Sequence, residues 1–137
     1  MYKLILALVA FSTSAANHHM QDNIMHIQAK ELRSLAKEKK IICLGDVKIQ
    51  FKNYMLHTQK AEIVFSYIDQ KKQITDVLIP TKLSLIYLDG TNTLIANKAI
   101  YCRKTMLLKL DGEVKMLYNN SLMAVDTLNI KIDEKLK

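Results

Sequence analysis

The sequence predicts an all-β domain, a sandwich or a barrel, on three observations. Apolar and polar residues alternate with period two over several short segments, turn-forming pairs such as Asp89-Gly90 and Asp111-Gly112 separate them, and a stretch of 37 residues recurs at an offset of 67. Composition fits one domain: 137 residues, half of them apolar, with three Gly, one Pro, two Cys and no Trp. Those counts exclude collagen-like, low-complexity and disulfide-scaffold chains, and so high an apolar fraction excludes disorder. Gly45, Gly90 and Gly112 stand too far apart to cradle a phosphate.

In chain order, Met1-Tyr2-Lys3 is a short basic start and Leu4 to Phe11 an unbroken apolar run. Ser12 to Ala16 is small and polar, with Ser14 and Ala16 at the −3 and −1 positions of a cleavage site. Residues 1–16 therefore read as a secretory signal peptide. As a helix, eight apolar residues rise only about 12 Å, against a hydrocarbon core of roughly 30 Å. Cleavage would leave residues 17–137 and lower the formal charge from +7 to +6, because only Lys3 is lost.

Ile24 to Ala29 alternates, with His26 among its polar residues. Ala29 to Lys40 carries Ala29, Leu32, Leu35 and Ala36 at helical spacing, but its counterpart in the repeat holds Ile100, Tyr101 and Cys102, so a strand is expected in both. Gly45 to Lys52 places Val47, Ile49 and Phe51 on one face and Lys48, Gln50 and Lys52 on the other. Asn53 then turns the chain into Met55 to Thr58, a hairpin. Gln73 to Ile79 is a strand that stops at Pro80, and Lys82 to Tyr87 alternates up to Asp89-Gly90. Gly112 to Tyr118, the Asn119-Asn120 turn and Leu122 to Val125 form a second hairpin.

The repeat aligns residues 27–63 with 94–130 without a gap, and seven pairs are identical: Ala29 with Ala96, Lys37 with Lys104, Gly45 with Gly112, Val47 with Val114, Lys48 with Lys115, Asn53 with Asn120 and Ile63 with Ile130. Two copies make no solenoid. They predict one architectural half used twice.

Catalytic patterns are missing. No nucleophile elbow, no framed carboxylate pair and no His and Cys cluster at metal-ligand spacing occurs, so no enzyme activity, metal or cofactor is expected. Each Cys aligns with a Leu, Cys43 with Leu110 and Cys102 with Leu35, which suits apolar fillers; a disulfide between them is the alternative in an exported chain. The cations are 18 Lys and 2 Arg, not interleaved with aromatics, so no nucleic-acid partner is expected. A phosphorylated membrane glycolipid is the better polyanion for an exported protein.

Several segments, taken in order, resemble a known family: Asp22 to Ala29, the Gly45-Asp46-Val47 strand with its hairpin, Gln59 to Ile63, Lys72 to Pro80, Ala96 to Tyr101, and Leu110 to Val114. Together they are similar to the OstA-like family of periplasmic lipopolysaccharide-transport proteins. The resemblance covers residues 17–137. It implies an open β-jelly roll of two antiparallel sheets, here built from two related halves, whose interior holds the acyl chains of lipopolysaccharide. It further implies a periplasmic carrier that bridges inner and outer membrane by stacking edge strand on edge strand, with transport components of related fold as partners and head-to-tail self-association. On the alternation, Val47, Ile49, Phe51, Leu83, Leu85, Leu108, Leu110, Val114, Met116 and Tyr118 face the interior and are the expected groove lining. Ile24 to Ala29 and Leu122 to Ile132 are the expected edge strands. Two other readings stay open: an inner-membrane-anchored component of the same fold, and a basic secreted β-domain that binds polyanions through its Lys face.

Overall fold

The structure, a computed structural model, describes residues 2–7, 24–51, 53–87 and 92–132, with the backbone alone for residues 2–7 and Ile24. The cleavage site expected at Ala16 and the Asp89-Gly90 turn lie outside the described residues. Among the described residues eleven strands follow one another: β1 (Tyr2–Ala7), β2 (Ile24–Ala29), β3 (Glu31–Leu35), β4 (Lys40–Phe51), β5 (Tyr54–Ile68), β6 (Lys71–Ile79), β7 (Leu83–Tyr87), β8 (Asn92–Ala96), β9 (Lys98–Cys102), β10 (Leu107–Tyr118) and β11 (Ser121–Lys131). Every pairing between them is antiparallel. The chain is all-β, as its alternation predicts.

The sheet is folded along a crease into two layers. One layer runs β1, β2, the second half of β4, the first half of β5, β7, β8, the second half of β10 and the first half of β11. The other runs β3, the first half of β4, the second half of β5, β6, β9, the first half of β10 and the second half of β11. Four long strands therefore cross from layer to layer, while β2 and β3, β7 and β6, and β8 and β9 are broken at the crossing.

Two bulges make the crease. Pairing of β4 with β5 slips between Leu44 and Val47, and that of β10 with β11 slips between Asp111 and Val114. At each slip a glycine and the acid after it take positive φ: Gly45 (83°) and Asp46 (50°), Gly112 (88°) and Glu113 (46°). An extra residue in one strand sharpens its bend, and glycine enters the left-handed region without a Cβ penalty. A Cβ on Gly45 would also come within 3.1 Å of the Lys30 Cβ, and one on Gly112 within 2.8 Å of the Asn97 Cβ.

The 67-residue repeat is real in three dimensions. Shifted by that offset, β3 falls on β9 and β4 on β10, residue for residue, and β5 starts where β11 starts. The N–H of Lys30 donates to the carbonyls of Leu44 and Gly45, as that of Asn97 does to Asp111 and Gly112. Lys39 and Met106 share positive φ (55° and 59°), and their carbonyls accept from Phe65 and Ile132.

The segment with helical spacing resolves the same way in both copies. Residues 31–35 pair along β4, Leu32 opposite Cys43, and only Ala36–Glu38 forms a turn of 3-10 helix, with no side-chain cap at Leu35. Hydrogen bonding and burial across the sheet override a propensity worth a few tenths of a kcal/mol per residue.

Candidate functional site

The inner faces of the two layers enclose the apolar interior. Val47, Ile49, Leu83, Leu85, Leu108, Leu110 and Val114 are fully or nearly fully buried there. Phe51 and Met116 are half-buried and pack against that core. Tyr118, at the end of β10, is 46 % exposed.

Between the layers lies a narrow apolar crevice, partly open to solvent, whose free interior is about 10 Å³, room for roughly one water. Met25, Ile49, Phe51 and Leu56 line it from one layer and Val77, Ile79, Tyr101 and Leu108 from the other. Three of the expected lining residues, Ile49, Phe51 and Leu108, are brought together here. Leu83, Leu85, Leu110 and Val114 lie elsewhere in the core. Met25, Leu56, Val77, Ile79 and Tyr101 were not among the expected lining; their alternation was visible, but which residues meet depends on how the layers fold over one another. That free interior is far below the roughly 300–1,000 Å³ of sites that enclose drug-sized molecules, so the layers must part to admit an acyl chain.

Aromatic rings form one rim of the space. Phe51 lies 5.7 Å from Tyr54 and 6.3 Å from Tyr101, centroid to centroid, and Tyr54 meets Tyr87 edge-on at 4.7 Å. Their hydroxyls are 3.2 Å apart, and burial, then this contact, push the Tyr54 phenol upward, so it stays neutral. Below, at the crease, the Thr58 hydroxyl reaches the Thr81 hydroxyl at 2.8 Å and the Lys82 carbonyl at 2.9 Å, which satisfies the one polar side chain buried in the core among the described residues.

The interior is not equally closed along its length. Leu56 and Thr58 of β5 are 2 % and 3 % exposed, whereas their counterparts in β11, Met123 and Val125, are 50 % and 47 %. Beyond β10, no further strand pairs with β11 among the described residues. On the outer face of the same hairpin Leu117 and Leu122 are also exposed.

Elsewhere the chemistry is sparse. Cys43 and Cys102 are both free thiols, and burial pushes that of Cys43 up to about 11. His57 Nε2 donates to Asp46 Oδ1 at 2.8 Å beside the first bulge. That hydrogen bond, with the charges of Lys48 and Lys30, holds the Asp46 carboxyl below the usual range. Among the described residues no group of three or more His, Cys, Asp or Glu converges.

No family model matches the sequence, and no curated protein does. Among solved structures, the chain is similar to LptH from Pseudomonas aeruginosa, described as the LptA-homologous periplasmic component of the conserved lipopolysaccharide transport device. The sequences are 12 % identical, and the match covers 78 % of this chain and 75 % of that one with a TM-score of 0.64. At that identity what the two share is a fold: the chain is built as the β-jelly roll of that periplasmic component is built.

Proposed function

We propose that the chain is a periplasmic lipopolysaccharide carrier, not an enzyme, which shelters acyl chains between its two layers and passes them along a bridge made by stacking edge strands. The observation that carries the reading is the inward row of β11, where Met123 and Val125 stand half-exposed at positions whose counterparts Leu56 and Thr58 are buried, together with a small solvent-open apolar crevice between the layers. A closed core has no use for such a face. Each methylene transferred from water gains about 0.8 kcal/mol, so partial shelter of one acyl chain already amounts to several kcal/mol. The similarity to the LptH fold supports the same reading.

On this reading residues 1–16 direct export and are removed, transport components of related fold are the partners, and the exposed edge of β11 takes part in stacking. The protein supplies no chemical step; it lowers the cost of moving an apolar chain through water.

Site-specific photo-crosslinking tests it. A photoreactive residue at Phe51 or Met116, facing inward, is expected to capture lipopolysaccharide in cells, and one at the outward, exposed Lys48 is not. Equal capture at Lys48 and none inward would support the polyanion-binding alternative and defeat the carrier reading.

A further inference from the structure

The outer edge of β2, expected to be free, is filled. Residues Tyr2–Ala7 pair antiparallel with it over six positions, from Tyr2 opposite Ala29 to Ala7 opposite Ile24. The repeat shows what that edge accepts. The counterpart of β2 is β8, and β8 pairs on the equivalent side with β7, with Leu83 opposite Ala96, Ser84 opposite Ile95, Leu85 opposite Leu94 and Ile86 opposite Thr93. Moved back by 67 residues, those partners are Ala29, Gln28, Ile27 and His26, which face Tyr2, Lys3, Leu4 and Ile5. The leader strand therefore occupies, register for register, the place that β7 occupies inside the molecule. Its sequence follows suit: Lys3-Leu4-Ile5 stands where Ser84-Leu85-Ile86 stands, a polar residue, then Leu, then Ile.

We propose that residues 2–7 are a surrogate for a β7-type strand, filling the β2 edge in the uncleaved chain, and that their removal opens this edge to a strand from a partner. The partner strand has the pattern of β7: apolar, polar, Leu, Ile, apolar. The physical basis is general. An unpaired edge exposes a row of N–H and C=O groups that template strand addition, so an occupant held in the same chain keeps the edge from pairing until it is removed. The register also sets specificity, because a slip of one residue would turn the side chains of the added strand to the wrong face. This inference rests on the leader and stacking readings above.

Hydrogen exchange on two purified chains, residues 1–137 and residues 17–137, tests it, with a synthetic peptide of residues 82–88 as the probe strand. In the full chain the β2 amides that point away from β4 should be protected and the probe should not bind. In the shorter chain those amides should exchange at least tenfold faster, the probe should bind, and its binding should restore protection, while β4 and β5 stay protected in both. Should the shorter chain fail to fold, Leu4→Pro in the full chain, which removes a backbone donor from β1, is expected to open the same amides. Unchanged β2 exchange in both variants would overturn the proposal. Sedimentation separates it from the bridging reading: an opened edge that takes the probe in a chain that stays monomeric refutes stacking alone, and self-association with unchanged β2 exchange refutes the surrogate strand alone.

Discussion

At Asp46 the two halves of the chain differ in chemistry. Its counterpart Glu113 has the same left-handed backbone, but Ala124 stands at the position equivalent to His57, so among the described residues the first bulge alone has this His–carboxylate hydrogen bond. Aspartate tolerates positive φ better than most residues, and the His57 hydrogen bond and the N–H of Asp46 donating to Gln59 Oε1 fix it there. The carboxyl titrates lower folded than unfolded, so the pair stabilises the fold above the unfolded value of roughly 3.9 and ceases to do so as pH falls through the folded value. Asp46→Asn should therefore flatten the acid limb of stability below about pH 4, with little change in slope at pH 7; urea midpoints measured down that limb check it. Most inward residues were legible one by one, because alternation along β4, β7 and β10 assigns Val47, Ile49, Leu83, Leu85 and Val114 to one face. Alternation does not say what lies opposite that face. Tyr118 shares the inward pattern of Val114 and Met116 and still stands 46 % exposed, since no opposing layer reaches the tip of its hairpin.

At the scale of elements, the two hairpins have the same plan and different surroundings. The β4–β5 hairpin has neighbours on both sides, β2 beyond β4 and β7 beyond β5, whereas β11 has β10 alone among the described residues. Its tip is apolar on both faces: Leu122 is 69 % exposed, Met123 50 % and Leu117 49 %. Exposed apolar groups on an unpaired edge promote association, and a charge there prevents it. Leu122→Lys with Met123→Lys should lower self-association severalfold while moving the thermal midpoint little, as read by sedimentation and calorimetry. A large fall in the midpoint would mean that the tip packs within the monomer. The element least legible in the sequence was β3, where Leu32, Leu35 and Ala36 suggest a helix. Backbone pairing with β4 decides it, and no single-strand pattern reports a partner 11 residues further on, Cys43 opposite Leu32.

For the whole molecule, the duplicated plan was visible as seven identities, and the structure explains why the glycines are among them. Gly45 and Gly112 sit where the sheet turns from one layer into the other, with the chain of the neighbouring break pressed against them. Gly112→Ala should cost at least about 1–2 kcal/mol from its backbone alone. Its Cβ would also meet Asn97 at 2.8 Å against 3.1 Å to Lys30 at the first crease, so Gly45→Ala should cost less. Asn97→Gly should recover part of the loss in the first variant and none in the second; urea unfolding of the four chains measures it. The one arrangement no sequence pattern could convey was the uneven closure of the interior. Its inner wall is dry at Leu56 and wet at Met123, the same position of the plan 67 residues later. A hydrocarbon lying in the crease thus meets a slope in hydration free energy, about 0.8 kcal/mol for each methylene that crosses from the dry end to the wet one. On the proposed carrier reading such a slope gives an acyl chain a preferred end, and covering Met123 and Val125 levels the path.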